Sequence, residues 1–128
     1  MSLQESGEMY LETILVLSKN QQTVHSIDIS RAMGFSKPSV SRAVNNLRRD
    51  KYLEVNENLE IHLTNSGSEI AERIYERHQI LTNMLLAIGV SPKTAAEDAC
   101  RMEHIISTES FEAIKKHFKE IDTSAKME

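Results

Sequence analysis

Ser26-Ile27-Asp28-Ile29-Ser30-Arg31-Ala32-Met33-Gly34-Phe35-Ser36-Lys37-Pro38-Ser39-Val40-Ser41-Arg42-Ala43-Val44-Asn45-Asn46-Leu47-Arg48-Arg49 is the stretch on which the fold turns. Ser26 is a candidate cap for a short helix with Ile29, Ala32 and Met33 as apolar positions, and Gly34 stops it. Ser36 caps a second helix, with Pro38 in its first turn, where a missing N–H costs nothing. Val40, Ala43, Val44 and Leu47 give that helix a buried stripe, and Ser39, Arg42 and Asn46 line the opposite face. Two helices joined by a short turn containing Gly, the second presenting polar and basic residues, form a helix-turn-helix. Its candidate DNA-reading residues are Ser36, Lys37, Pro38, Ser39, Arg42 and Asn46.

The flanks extend this reading. Tyr52–Val55 and Leu59–Leu63 alternate apolar and polar around Asn56-Glu57-Asn58, the pattern of a short hairpin. After a helix-turn-helix, that is the position of a wing. Upstream, Tyr10, Ile14 and Leu17, widened by Leu11 and Leu15, predict a helix over 6–19. Downstream, the pattern predicts a long helix over 65–88, started by Thr64 or by a Ser66–Glu69 capping box and ended by Gly89. Ser91 and Pro92 open another helix to about Ile106, and Ser107 or Thr108 opens the last; Thr123 to Glu128 reads as a frayed polar tail. The fold class is therefore mainly α. Residues 1–64 form a winged helix-turn-helix, and residues 65–128 form an all-helical domain.

Of 128 residues, 40% are hydrophobic and 27% charged, as in a soluble globular protein. No stretch approaches a membrane span, and Met1–Glu5 lacks a signal peptide's features. One cysteine excludes an internal disulfide framework, so a cytoplasmic home with Cys100 reduced is the simplest expectation. The net charge of −4 argues against a uniformly basic nucleic-acid binder, yet residues 31–51 alone carry +5. Arg31, Lys37, Arg42, Arg48, Arg49 and Lys51 face only Asp50 there. Such a concentration is the footprint of phosphate contact, and also that of a solvated basic helix.

Cys100-Arg101-Met102-Glu103-His104 puts a thiol, a carboxylate and an imidazole on one helix face. All three are transition-metal donors. Alone, Cys100 is most often a small buried hydrophobe, and Glu103 and His104 are most often surface groups. Together they are harder to explain without a bound ion, since a buried face does not ordinarily hold a carboxylate beside an imidazole. Met9 and Glu12 make a similar pair on helix 1. His78 lies among polar neighbours, the charged Glu76-Arg77 before it and Gln79 after it, where solvation is its ordinary state. His25, His62 and His117 have no second donor at useful spacing. No phosphate loop, nucleophile elbow or zinc-protease motif is present, so no enzyme is expected.

These residues resemble the diphtheria-toxin-repressor family of metal-dependent transcriptional regulators, which includes the manganese transport regulators. The resemblance rests on Glu8-Met9-Tyr10-Leu11, Ser36-Lys37-Pro38-Ser39-Val40-Ser41, Leu63-Thr64-Asn65-Ser66-Gly67, Arg77-His78 and Glu97-Asp98-Ala99-Cys100-Arg101-Met102-Glu103-His104. It implies a winged-helix domain over 1–64 joined to an all-helical dimerisation and metal-binding domain over 65–128, to which helix 1 contributes ligands, a homodimer, a palindromic double-stranded operator, and repression of metal-uptake genes. Some members add an SH3-like domain, and this chain resembles the two-domain branch. Met9, Cys100, Glu103 and His104 fall where iron-responsive members have activating ligands. His78 falls on a ligand of both branches, and Glu12 on one of the manganese branch. Manganese members have carboxylates where Met9 and Cys100 stand, and the iron members' ancillary site has Glu and His where this chain has Thr82 and Ala96.

Thioether and thiolate favour metals softer than Mn(II), so Fe(II) is the expected corepressor and Mn(II) the alternative. Other divalent transition metals are expected to substitute in vitro. The rival from another class is a metal-buffering protein without specific DNA binding, against which the +5 segment speaks. Ile105, Phe111, Ile114 and Phe118 are the expected dimer contacts, with an intramolecular core as the other possibility.

Overall fold

The computed structural model describes residues 5–127, and the side chains of residues 5–118. Its elements are α1 (Glu5–Asn20), α2 (Ser26–Met33), α3 (Lys37–Arg49), β1 (Leu53–Val55), β2 (Ile61–Leu63), α4 (Asn65–Ala87), α5 (Pro92–Ile105) and α6 (Thr108–Met127). The chain divides into two compact units, one ending at Arg73 and one beginning at Ile74, inside α4.

The first unit is built on α1, α2, α3 and the hairpin. Its core is Tyr10, Leu11, Ile14 and Leu15 of α1, Val24, Ile29, the α3 stripe Val40, Val44 and Leu47, Leu53 and Ile61 of the strands, and Ala71. The cap of α2 differs from the sequence expectation. His25 is the N-cap, its backbone N–H donating to Asp28 Oδ2 at 2.8 Å. Ser26 is already helical, because Asp28 closes the capping turn one residue earlier. Gly34 ends the helix at φ 71°, a left-handed conformation that favours glycine. Ser36 Oγ then accepts from Ser39 N–H at 3.3 Å and starts α3, with Pro38 in the first turn as expected.

The wing is an antiparallel hairpin pairing Leu53 with Leu63, Glu54 with His62 and Val55 with Ile61. The alternation buries Leu53 and Ile61 and exposes Glu54 and His62. Ile61 N–H also donates to Val24 O at 2.7 Å, tying the wing to the segment before α2. Thr64, not the Ser66–Glu69 box, starts α4: its Oγ1 accepts from Gly67 N–H at 3.1 Å and donates to Lys51 O at 2.7 Å. Gly67 is required by contact, since a Cβ there would stand 2.1 Å from the Tyr52 carbonyl oxygen.

The second unit holds the rest of α4 with α5 and α6. Buried here are Ile74, Leu81, Ala95, Ala99 and Phe111, together with two charged residues, Arg77 and Glu103. Gly89, at φ 101°, follows the end of α4, and Ser91 precedes α5 with Pro92 in its first turn. Ser107 Oγ accepts from Ser110 N–H at 3.1 Å and opens α6. The helix continues to Met127, past the expected polar tail, because no Gly or Pro follows Ser107 to break it. Phe111 is not a free dimer contact. It is 3% exposed, and the Arg77 guanidinium lies 5.2 Å from its ring centre. Ile105, by contrast, is 76% exposed, and Leu86 and Ile88 are also exposed.

Candidate metal centre and nucleic-acid interface

Three of the expected metal donors come together in the second unit. On α5 the buried stripe runs Ala95, Ala99, Glu103, so a carboxylate occupies the position where the next core residue would fall. Glu103 is fully buried. Its Oε2 lies 2.8 Å from His78 Nδ1 of α4, a hydrogen bond whose donor depends on the imidazole tautomer. Its Oε1 lies 3.3 Å from His104 Nε2, but no hydrogen bond to this oxygen forms. The His104 side chain is 1% exposed and that of His78 31%. Cys100, one turn before Glu103, is half-buried with its thiol free of any disulfide.

A carboxylate buried with one oxygen lacking a hydrogen bond is expensive. A buried carboxylate between a buried and a part-exposed imidazole, with a thiol one turn away, offers the donor types that a divalent transition metal satisfies. The residues therefore fit such an ion. Met9 and Glu12 are half-buried on α1, in the first unit. Thr82, one turn beyond His78 on α4, has a buried hydroxyl with no hydrogen-bond partner, while Ala96 is half-buried and offers no donor atom. His25, His62 and His117 are outside this cluster, and His62 and His117 are exposed.

The expected DNA-reading residues cluster at the start and on the outer face of α3. Ser36, Lys37, Pro38, Arg42 and Asn46 are exposed, and Ser39 is half-buried. Ser36 Oγ donates to Ser39 Oγ at 2.9 Å, and Arg42 Nη2 donates to Ser39 Oγ at 3.4 Å, so the first turn is pre-ordered. Ser30 Oγ donates to Phe35 O at 2.6 Å and holds the turn between α2 and α3. Behind it, the Tyr10 and Phe35 rings lie 6.0 Å apart. Burial pushes the Tyr10 phenol above its ordinary value, and the Arg42 charge draws it part of the way back. All six basic residues of the 31–51 segment are exposed. The wing has Glu54, Glu57 and Glu60 and no Lys or Arg, so attraction for phosphate belongs to α3 and its flanks.

Residues 2–60 match the iron dependent repressor N-terminal DNA binding domain. Residues 64–126 match the iron dependent repressor metal binding and dimerisation domain. The transcriptional regulator MntR of Escherichia coli O157:H7 is 34% identical over 106 residues, 83% of this chain and 68% of that protein. The chain belongs to the diphtheria-toxin-repressor and manganese-transport-regulator family of metal-dependent transcriptional regulators.

Within that family, MntR of Bacillus subtilis strain 168 is 31% identical over 124 residues, covering 94% of this chain and 87% of its own. The solved manganese regulator SloR superposes with a TM-score of 0.79 at 24% identity, over 93% of this chain and 55% of that one. The T. acidophilum IdeR structure gives a TM-score of 0.71 at 26% identity, again over 93% and 55%. The chain thus spans about half the length of these two solved relatives.

Arg77 is a buried residue that the sequence reading quoted beside His78 but gave no role. Its signal was present: Ile70, Ile74, Arg77 and Leu81 recur at helical spacing, placing a guanidinium on the apolar stripe of α4.

Proposed function

We propose that the chain is a homodimeric repressor that binds a palindromic operator when loaded with Fe(II) and so controls metal-uptake genes. The observation that carries this reading is the His78–Glu103–His104 cluster around a buried carboxylate, in a chain whose other unit is a winged helix-turn-helix. His78, Cys100, Glu103 and His104 are proposed as donors from the helical unit, and Met9 and Glu12 as donors from α1. A divalent cation supplies positive charge and a directional demand on its donors. Donors drawn from both units favour one arrangement of the chain, and that preference becomes operator affinity by linkage.

In the DNA-binding unit, Lys37 and the other basic residues neutralise phosphates. Ser36, Pro38, Ser39, Arg42 and Asn46 present the start and outer face of α3 to the major groove. Exposed Ile105, Leu86 and Ile88 are proposed as subunit contacts, an apolar surface that a monomer would leave in water. A repressor with a reduced thiol donor belongs in the cytoplasm.

The soft donors Met9 and Cys100 support Fe(II) over Mn(II). Mn(II) is the second reading, favoured by the hard carboxylates Glu12 and Glu103 and by solved relatives described as manganese regulators. A gel shift of a palindromic promoter fragment, with and without metal, tests the proposal. Metal-dependent retardation is expected. Metal uptake without any retardation would leave a metal-buffering protein instead.

A further inference from the structure

Arg77 and His78 are consecutive on α4, and both grip one residue of α5. His78 takes the carboxylate of Glu103 at 2.8 Å, while Arg77 Nη1 donates to the Glu103 backbone carbonyl at 3.1 Å. The same Nη1 donates to the Ile106 carbonyl at 3.0 Å. Ile106 is the C-cap of α5, so the guanidinium sits where helix carbonyls lack partners and the helix end is partly negative. Its face lies 5.2 Å from the Phe111 ring centre of α6, which makes one cation the meeting point of three helices.

We propose that Arg77 is a positioning residue for the metal donors at the end of α5, an inference that rests on the metal-site reading above. By pinning the carbonyls of Glu103 and Ile106, it sets the rotation of the last turn of α5. That rotation fixes the angle at which the Glu103 carboxylate and the His104 imidazole approach His78. Simple packing between α4 and α5 does not require this residue. A buried guanidinium is costly to desolvate, and an apolar side chain would fill the space with less penalty. A positive charge beside a site that collects a cation is also unfavourable in itself. The directional bonds to the two carbonyls account for its presence. Partners that orient metal donors without touching the metal typically change affinity about 10–100-fold when removed.

The test uses Co(II) as probe, titrated into full-length apo-protein, with affinity and the visible ligand-field spectrum as readouts. Far-UV circular dichroism and Tm report the fold. Arg77→Met should keep the fold, weaken Co(II) binding about 10–100-fold and shift the ligand-field bands. Arg77→Lys, which can still donate to a carbonyl, should recover part of both. Wild-type affinity and spectrum in Arg77→Met, whatever its Tm, would overturn the proposal and leave a structural clamp. Should Arg77→Met fail to fold, Arg77→Lys decides: unchanged affinity and bands refute the positioning role, and weakened affinity with shifted bands supports it. Failure of the wild-type chain to bind Co(II) at all would instead remove the metal-site reading, and this inference with it.

Discussion

Replacing Glu103 with Leu should separate stability from metal response. Glu103 is fully buried, and its Oε1 has no hydrogen bond. Burying such a group costs about 1–3 kcal/mol, which the substitution recovers. Against this stands the bond to His78, whose net worth is about 0.5–1.5 kcal/mol. His78 is 31% exposed, so its freed nitrogen can turn to water instead of being stranded. The Arg77 bond survives, because it goes to the Glu103 backbone carbonyl. The sum leaves the apo-protein between about 0.5 kcal/mol less stable and about 2.5 kcal/mol more stable, comparable to other buried charges replaced by hydrophobes. Urea unfolding of the metal-free variant measures this, and an operator-binding titration with metal measures the rest. The variant should be within about 0.5 kcal/mol of the wild type or more stable, and deaf to metal. A loss of more than about 2 kcal/mol would refute the reasoning, because it would make Glu103 a structural element of the core. A retained metal response would refute it from the other side.

Arg42→Ala should cost about 1–3 kcal/mol on the best operator and flatten preference at one base pair if Arg42 reads a base. If it holds a phosphate, the loss is uniform across sequences and the salt slope falls by about one, so competition binding at several salt concentrations separates the two. Gly67→Ala sets a methyl 2.1 Å from the Tyr52 carbonyl oxygen, a backbone atom, and should cost at least about 1–3 kcal/mol in urea unfolding. A neutral result there would mean that α4 starts elsewhere. Peroxide treatment of the apo-protein should lower metal-dependent operator binding, and reductant should restore it, since Cys100 must be a thiolate to donate. Equal activation after verified oxidation of Cys100 removes it from the site.

Much of the first unit was legible because its signals are local. The Ser36 cap, Pro38, the Val40–Val44–Leu47 stripe and the strand alternation act over a few residues, and the structure repeats them. Thr64 against Ser66 was undecided in the sequence because both offer a hydroxyl; the carbonyl of Lys51, which settles it, is distant in the chain. The cap of α2 was misplaced by one residue because a histidine N-cap has no propensity signal, while Ser26 has a strong one. His78 read as solvated on its local sequence alone and as a ligand only through the family resemblance, because its bond to Glu103, 25 residues away, is a contact that local spacing does not show. Phe111 could be assigned to a dimer or to a core equally well until Arg77 was seen against its ring. Cys100, Glu103 and His104 stood out because local spacing alone puts them on one helical face, and the family resemblance singled out the same three residues.

The most direct test of the central claim is an anaerobic titration of the apo-protein with Fe(II) and, separately, Mn(II), read by fluorescence anisotropy of a labelled palindromic operator. The account predicts that operator binding appears only with metal, and at lower free Fe(II) than free Mn(II). Operator binding that is equally tight in the presence of a chelator would contradict metal dependence. Activation at lower Mn(II) than Fe(II) would contradict the role given to Met9 and Cys100.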